Sequence, residues 1–401
     1  MCRLRALRAT VASCLASTLL ALAACGREAS PPPPQEQPAP LALNMDALAG
    51  AIVDHLALQP GERVLLAAQP GRFDSLVGSV RAGVQAAGAT DLGAWSVEGA
   101  APSEWGTDFT RGLEGLEGEA LVEALSGVDA GIMLPGAVPA HPVYGALQQV
   151  LRGGHGRTVH FHWAGAYGLD GALLAMDPAR DALYQAVVTG TDYTALAATH
   201  RAFEEALRAG EVRVTTPAGT DLTFRVADRP VTKQDGDASG ARAASGRNLI
   251  DREVELPAGA IRVAPLEETV RGRIVFPPSV WNGERVEGLT LGFVDGVATE
   301  VTASAGLAAA LAEMDAAGPA GRSFREFALG FNPLLTIPEA DPWIPYYGYG
   351  AGVVRLSLGD NTELGGAVGG GYVRWNFFTD ATVTAGSVTW VDGGRLTPPS
   401  R

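Results

Sequence analysis

The sequence predicts an α/β protein: an N-terminal doubly wound α/β domain followed by a β-rich α+β C-terminal domain. Three observations carry this. Over residues 43–205, short apolar runs alternate with amphipathic helical stretches, the pattern of a mostly parallel sheet with helices on its faces. Over residues 206–401, the apolar runs are short and separated by glycine- and proline-rich turns, with few helices among them. Apolar residues make up 47% of the 401-residue chain, ample for large buried cores.

The chain opens with residues 1–24, in which Arg3, Arg5 and Arg8 precede the apolar run VASCLASTLLALAA. A basic start, a short apolar core and small residues at its end make a secretory leader, too short for a spanning helix. Leu22-Ala23-Ala24-Cys25 resembles a bacterial lipobox, which marks Cys25 for lipidation. Several acyl chains anchor stably where one is marginal. The expectation is a lipid-anchored protein of the bacterial cell envelope, facing the periplasm or the exterior. No aspartate follows Cys25, which favours the outer membrane by analogy with enteric bacteria. Residues 25–42 include SPPPPQEQPAP, an extended spacer by its proline density.

In the N-terminal domain, Asn44 is positioned to cap a helix ending near residue 58, with Leu48, Ile52, Val53 and Leu56 on one face. RVLLAA at 63–68 reads as a buried strand. A helix at 74–87, a strand at 91–96, a helix at 117–125, a strand at 130–134, a helix at 143–151 and a strand at 158–163 follow. The domain closes with a helical stretch at 177–209.

In the C-terminal domain, residues 211–226 read as a hairpin turning at Pro217-Ala218-Gly219. Residues 233–248 are polar and glycine-rich, which predicts a mobile surface loop. Strand-like runs follow at 260–264, 272–276, 289–294 and 297–302, then a helix at 306–316 and a short run at 324–329. Residues 334–351 are proline- and aromatic-rich, and Trp343, Tyr346, Tyr347 and Tyr349 are candidates for the wall of a site. The final runs are 353–358, 372–378 and 388–391. Two of these carry a charge among apolar neighbours: Arg355 in VVRLSL and Arg374 in YVRWNFF. A guanidinium in a strand-like run is costly unless paired, so each lies on a solvated face or lines a site.

The formal net charge of −14 argues against nucleic acid as a partner. The three cysteines, at 2, 14 and 25, leave no disulfide or thiolate site once a leader is removed. No GxGxxG, Walker A, GxSxG or HExxH pattern occurs. The histidines, at 55, 141, 155, 160, 162 and 200, all precede the C-terminal half. His160 and His162, two apart on a strand, share a face, as a metal pair would. With no acidic neighbour in sequence, packing or hydrogen bonding at the strand end is the expected role.

Eight segments in fixed order resemble the M29 family of aminopeptidases, the aminopeptidase T group: QPGERVLL, VTTPAGTDLTF, LPAGAIRVAPLEETVRGRIVF, EGLTLGFVDG, REFALGFNP, VRLSLGDN, YVRWNFF and VDGGRL. The resemblance covers about residues 43–396. It implies an M29-like fold, an active site in the β-rich domain, a homodimer, and two divalent metals such as Zn, Co or Mn that activate water against an N-terminal peptide bond.

Carried over residue by residue, the resemblance departs at the ligands. Ala260 stands where the family has a ligand glutamate, and Glu326 matches the second. Arg355 stands at a ligand histidine, and Arg374 and Asn376 at the last histidine and aspartate. The position of a catalytic tyrosine falls near Thr362. Arginine has no lone pair to give a metal, and alanine gives nothing. A degenerate metal site is therefore expected, with no metal and with Glu326 bracketed by Arg355 and Arg374.

The resulting expectation is a membrane-tethered M29 aminopeptidase-like protein, a pseudoenzyme that binds a small anionic ligand or a peptide through Ala260, Glu326, Arg355, Arg374 and Asn376. Two alternatives stay open. One is an active metal-dependent aminopeptidase with ligands recruited from Glu253, Glu255, Asp360 or Glu363. The other is a structural envelope protein that uses the fold as a dimeric scaffold.

Overall fold

The computed structural model describes residues 42–398. The leader, Cys25 and most of the proline-rich segment lie outside the described residues.

Five parallel strands form the first sheet, in the order Glu253–Leu256, Arg157–Phe161, Ala130–Met133, Arg63–Ala68 and Thr90–Ser96. Alternate side chains of one strand serve two cores. Val64, Leu66 and Ala68 face Leu48, Ile52, Leu76 and Val80 of the helices Met45–Leu56 and Asp74–Ala86. Leu65 and Ala67 face Leu121, Leu125, Val143 and Leu147 of the helices Gly118–Leu125 and Pro142–Arg152. Each valine, leucine or isoleucine among them contributes roughly 1.5–3 kcal/mol when fully buried. The first helix starts where Asn44 accepts from the Ala47 amide at 3.0 Å, and stops where Ala57 turns left-handed.

The edge strand Glu253–Leu256 comes from far along the chain, after the hairpin of the second half. Val254 and Leu256 enter the core on one face, which leaves Glu253 and Glu255 on the other.

The second half is antiparallel and β-rich. The hairpin Glu211–Thr215 and Asp221–Arg225 forms as its turn predicts, with Val212 opposite Phe224. It lies within an eight-stranded sheet that runs from Val297–Thr302 at one edge to Arg395–Leu396 at the other. A second sheet has the order Val373–Arg374, Val354–Gly359, Phe324–Gly330, Ala260–Val263 and Thr232–Gln234, with Phe377–Phe378 also paired to Val354–Gly359. The two sheets and the helix Tyr193–Ala209 meet in one aromatic core. Phe224 and Phe327 have ring centroids 5.3 Å apart, and Phe203 and Trp390 4.9 Å.

Residues 233–248 are not the free loop that their polarity predicts. Thr232–Gln234 is a strand and Gly240–Ala244 a helix. The buried Gln234 amide donates to the Glu253 carbonyl at 3.0 Å and accepts from the Glu255 amide at 2.8 Å. Those two bonds tie the segment to the first sheet.

Candidate functional site

The site is built on three adjacent strands of the second sheet. Arg262 lies opposite Ala328, and Ala328 opposite Arg355. This register puts both guanidiniums on one face, flanking the central strand, with Glu326 two residues along that strand. Glu326 has no solvent exposure. Arg262 Nε donates to its Oε2 at 3.0 Å, and Arg355 Nη2 stands 3.0 Å from its Oε1. Ser357 Oγ donates to the same Oε1 at 3.2 Å. Glu363 closes the cluster, taking Arg262 Nη2 at 3.0 Å and Nη2 of Arg325. Burial alone would raise the Glu326 carboxyl; Arg262, Arg355 and Arg325 outweigh it and hold the group well below the usual carboxylate range. Burial likewise opposes the charge on Arg262, and Glu326, Tyr349, Glu363 and Glu255 hold it protonated.

Glu326 is thus bracketed by arginines, but the second is Arg262 rather than Arg374. Arg374 lies opposite Leu358, which is three residues from Arg355 and so on the other face of the sheet. It donates to Glu313 at 2.7 Å and to the Val280 carbonyl at 2.8 Å, and sits 3.4 Å above the Trp281 ring. Asn376 donates to the Leu356 carbonyl at 3.2 Å and, with Arg374, lines a neighbouring cavity. Ala260 is fully buried among core side chains and lies two residues from Arg262 along its strand. Of the five residues singled out by resemblance, the structure brings Glu326 and Arg355 together; Arg374 and Asn376 lie elsewhere. Arg262, Arg325 and Glu363 complete the cluster. Arg262 carries the same signal as Arg355, a charge inside the apolar run AIRV.

Arg262 and Arg355 form one wall of a cavity of about 410 Å³. Other walls lie around the carboxyl ends of two parallel strands, the usual ligand position in such sheets. They include His160 within one strand, His162 and Trp163 just past its end, and Glu253 and Glu255 along the edge strand, which Glu253 begins. The histidine pair does share a surface, with ring centroids 5.3 Å apart. His160 is held by Tyr144 Oη at 2.6 Å and Thr158 Oγ1 at 2.9 Å, with Glu253 at 3.4 Å. The acidic neighbour missing from the sequence is supplied by the pairing of Glu253–Leu256 with Arg157–Phe161. Burial, with His160 adding to it, pushes His162 down to about 3 and keeps it neutral. Tyr349 donates its hydroxyl to Glu255. Gly165, at φ +79°, accommodates the Tyr347 ring where a Cβ would collide.

Arg355 is the unusual member. It is 2% exposed, lies between the rings of Tyr349 and Trp375, and donates Nη1 to the Tyr347 carbonyl at 2.9 Å. Its Nε and Nη2 have no hydrogen-bond partner among the described residues, the approach of Nη2 to Glu326 being a charge contact only. The indole nitrogen of Trp375 is also unpartnered. Buried donors without acceptors are costly, so these N–H groups are poised for an acceptor in the cavity.

Among the described residues, no three His, Cys, Asp or Glu side chains stand close enough to hold a metal ion. Glu326 is taken by guanidiniums, and Glu363 by Arg262 and Arg325. Asp360 accepts from Thr362 and the Gly371 amide in its own loop.

Residues 191–336 match the family model described as thermophilic metalloprotease (M29). Among solved structures, 2,5-dihydroxypyridine dioxygenase from Pseudomonas putida KT2440 superposes with a TM-score of 0.61 at 15% identity, over 89% of this chain and 97% of that one. Wild-type AmpT from Thermus thermophilus superposes with a TM-score of 0.56 at 18% identity, over 88% of this chain and 99% of that one. No curated protein matches in sequence. At these identities the likeness is one of fold. The matched names span a dioxygenase and a metalloprotease family, so the fold alone does not select a reaction.

Proposed function

We propose that this chain is an M29 aminopeptidase-like binding protein whose cavity takes a small anionic ligand or a peptide carboxylate, without dimetal peptidase chemistry. The observation that carries the reading is Arg355, a buried guanidinium with two nitrogens left without hydrogen-bond partners beside the cavity. A carboxylate is the natural acceptor for that fork, and Trp375 Nε1 offers a further donor. The aromatic rings of Tyr144, Trp163, Tyr347 and Tyr349 supply apolar walls.

Around this site we place the rest of the proposal. The mature chain is anchored through lipid on Cys25 in the bacterial envelope, the outer membrane being favoured, and acts as a homodimer. No described helix is long and apolar enough to cross a membrane. The competing reading, a metal-dependent aminopeptidase, draws on the family-model match over 191–336.

The test is thermal unfolding of the full chain with formate, succinate or dialanine, in the wild type and in Arg355→Ala. A ligand at a hundredfold its Kd stabilises by about 2.7 kcal/mol. The expected result is a ligand-dependent rise in Tm that the variant loses. An equal rise in both proteins, or none in the wild type, removes the site.

A further inference from the structure

A second cavity, of about 540 Å³, is lined in part by Leu249 and Arg252 of the short helix Leu249–Arg252, whose Ile250 lines the first. Arg152, Arg247 and Arg252 line it, with Glu363 as the one carboxylate. Three guanidiniums facing one cleft stand out in a chain of net charge −14.

These arginines are poorly compensated. Arg152, exposed at the end of the helix Pro142–Arg152, has no ion-pair or hydrogen-bond partner among the described residues. Arg252 donates to the Gly156 carbonyl at 3.0 Å and, among the described residues, meets no carboxylate within salt-bridge distance. Among the described residues the Arg247 guanidinium pairs with Asp228 alone, at 3.7 Å, whose side chain is almost wholly exposed, while the Arg247 amide donates to Asp251 Oδ2 at 2.9 Å. The Glu363 carboxylate is already held by Arg262 and Arg325. A further donor points the same way: Asn248 lines the cleft, and its Nδ2 is buried without an acceptor among the described residues.

We propose that this cleft is an anion site for a small phosphate-bearing ligand. The guanidinium fork matches phosphate oxygens in pairs, and several such groups together suit a multiply charged anion. The acidic surface elsewhere repels an extended polyanion, and the cleft has the volume of a small molecule. The site is separate from the Arg355 cavity and shares only Glu363 with it.

The probe is inorganic pyrophosphate, titrated calorimetrically into the full chain. The wild type is compared with Arg152→Glu/Arg247→Glu, with Arg355→Ala and with Arg271→Glu, an exposed arginine on another strand. The expected result is a binding step weakened more than about tenfold by the double reversal and unchanged by the other two. Loss in Arg355→Ala alone would assign the step to the first cavity and overturn this proposal while leaving the first reading intact. Equal weakening in Arg271→Glu, or no effect of the double reversal, also overturns it. Capture of phosphatidylglycerol vesicles without pyrophosphate binding would contradict a soluble ligand.

Discussion

Arg262 holds Glu326 with two nitrogens, Nε and Nη2, each 3.0 Å from the same carboxylate oxygen. Arg355 takes the other oxygen. The carboxylate that the family resemblance assigns to a metal is here saturated by guanidinium. Both partners are deeply buried, so neither finds a substitute in water.

Glu326→Gln should therefore be strongly destabilising. It would leave the guanidiniums of Arg262, Arg325 and Arg355 without their shared, fully buried carboxylate, with Glu363 and Glu255 as the remaining acids near Arg262. Breaking a buried pair by removing one partner costs about 3–5 kcal/mol. Urea unfolding measures it. An unchanged midpoint would mean that the three cations are compensated by other groups.

The substitution Arg374→Ala should behave differently. Its guanidinium covers Trp281 and pairs with Glu313 on the other face of the sheet. Some stability should be lost with that packing, while ligand-dependent stabilisation through Arg355 should persist. If Arg374→Ala abolishes ligand binding as Arg355→Ala is expected to, the assignment of the two arginines to different faces is wrong.

The contrast between these arginines shows what the sequence makes legible. Both alternation and order of elements are readable, and the strands and helices fall close to where periodicity puts them. Arg355 stands out as a charge in an apolar run, and Arg262 does so equally. The face of Arg374 is not readable, because the run 372–378 breaks into Val373–Arg374 and Phe377–Phe378. The carboxylates of the other walls are not readable either. Glu253 reaches His160 through a parallel pairing of strands about a hundred residues apart, and no local pattern encodes that partner.

Acid should weaken the fold well above the point at which Glu326 protonates. His162 and His200 are each pushed down to about 3, chiefly by burial. Between roughly pH 6.5 and 3 the unfolded chain binds these protons and the native chain does not. Stability should fall as pH falls across that window, each of the two histidines contributing in that direction. Glu326 acts with the same sign at lower pH, because its carboxyl is also depressed. It contributes stability that is complete above roughly pH 4.3 and is lost as pH falls from there through the folded-state value. His200 is fully buried and packs edge-on against Phe331. His200→Leu should reduce the slope of unfolding free energy against pH by one histidine's share. An unaltered slope would show that His200 titrates normally in the folded chain.

We propose that guanidinium groups occupy the place of a dimetal centre. The most direct test is the metal content of the purified full chain, with turnover of aminoacyl reporter substrates after Zn, Co or Mn is added. The expected result is no stoichiometric metal and no metal-dependent release of the reporter. Two bound metals per chain, with turnover that follows their addition and removal, would contradict it.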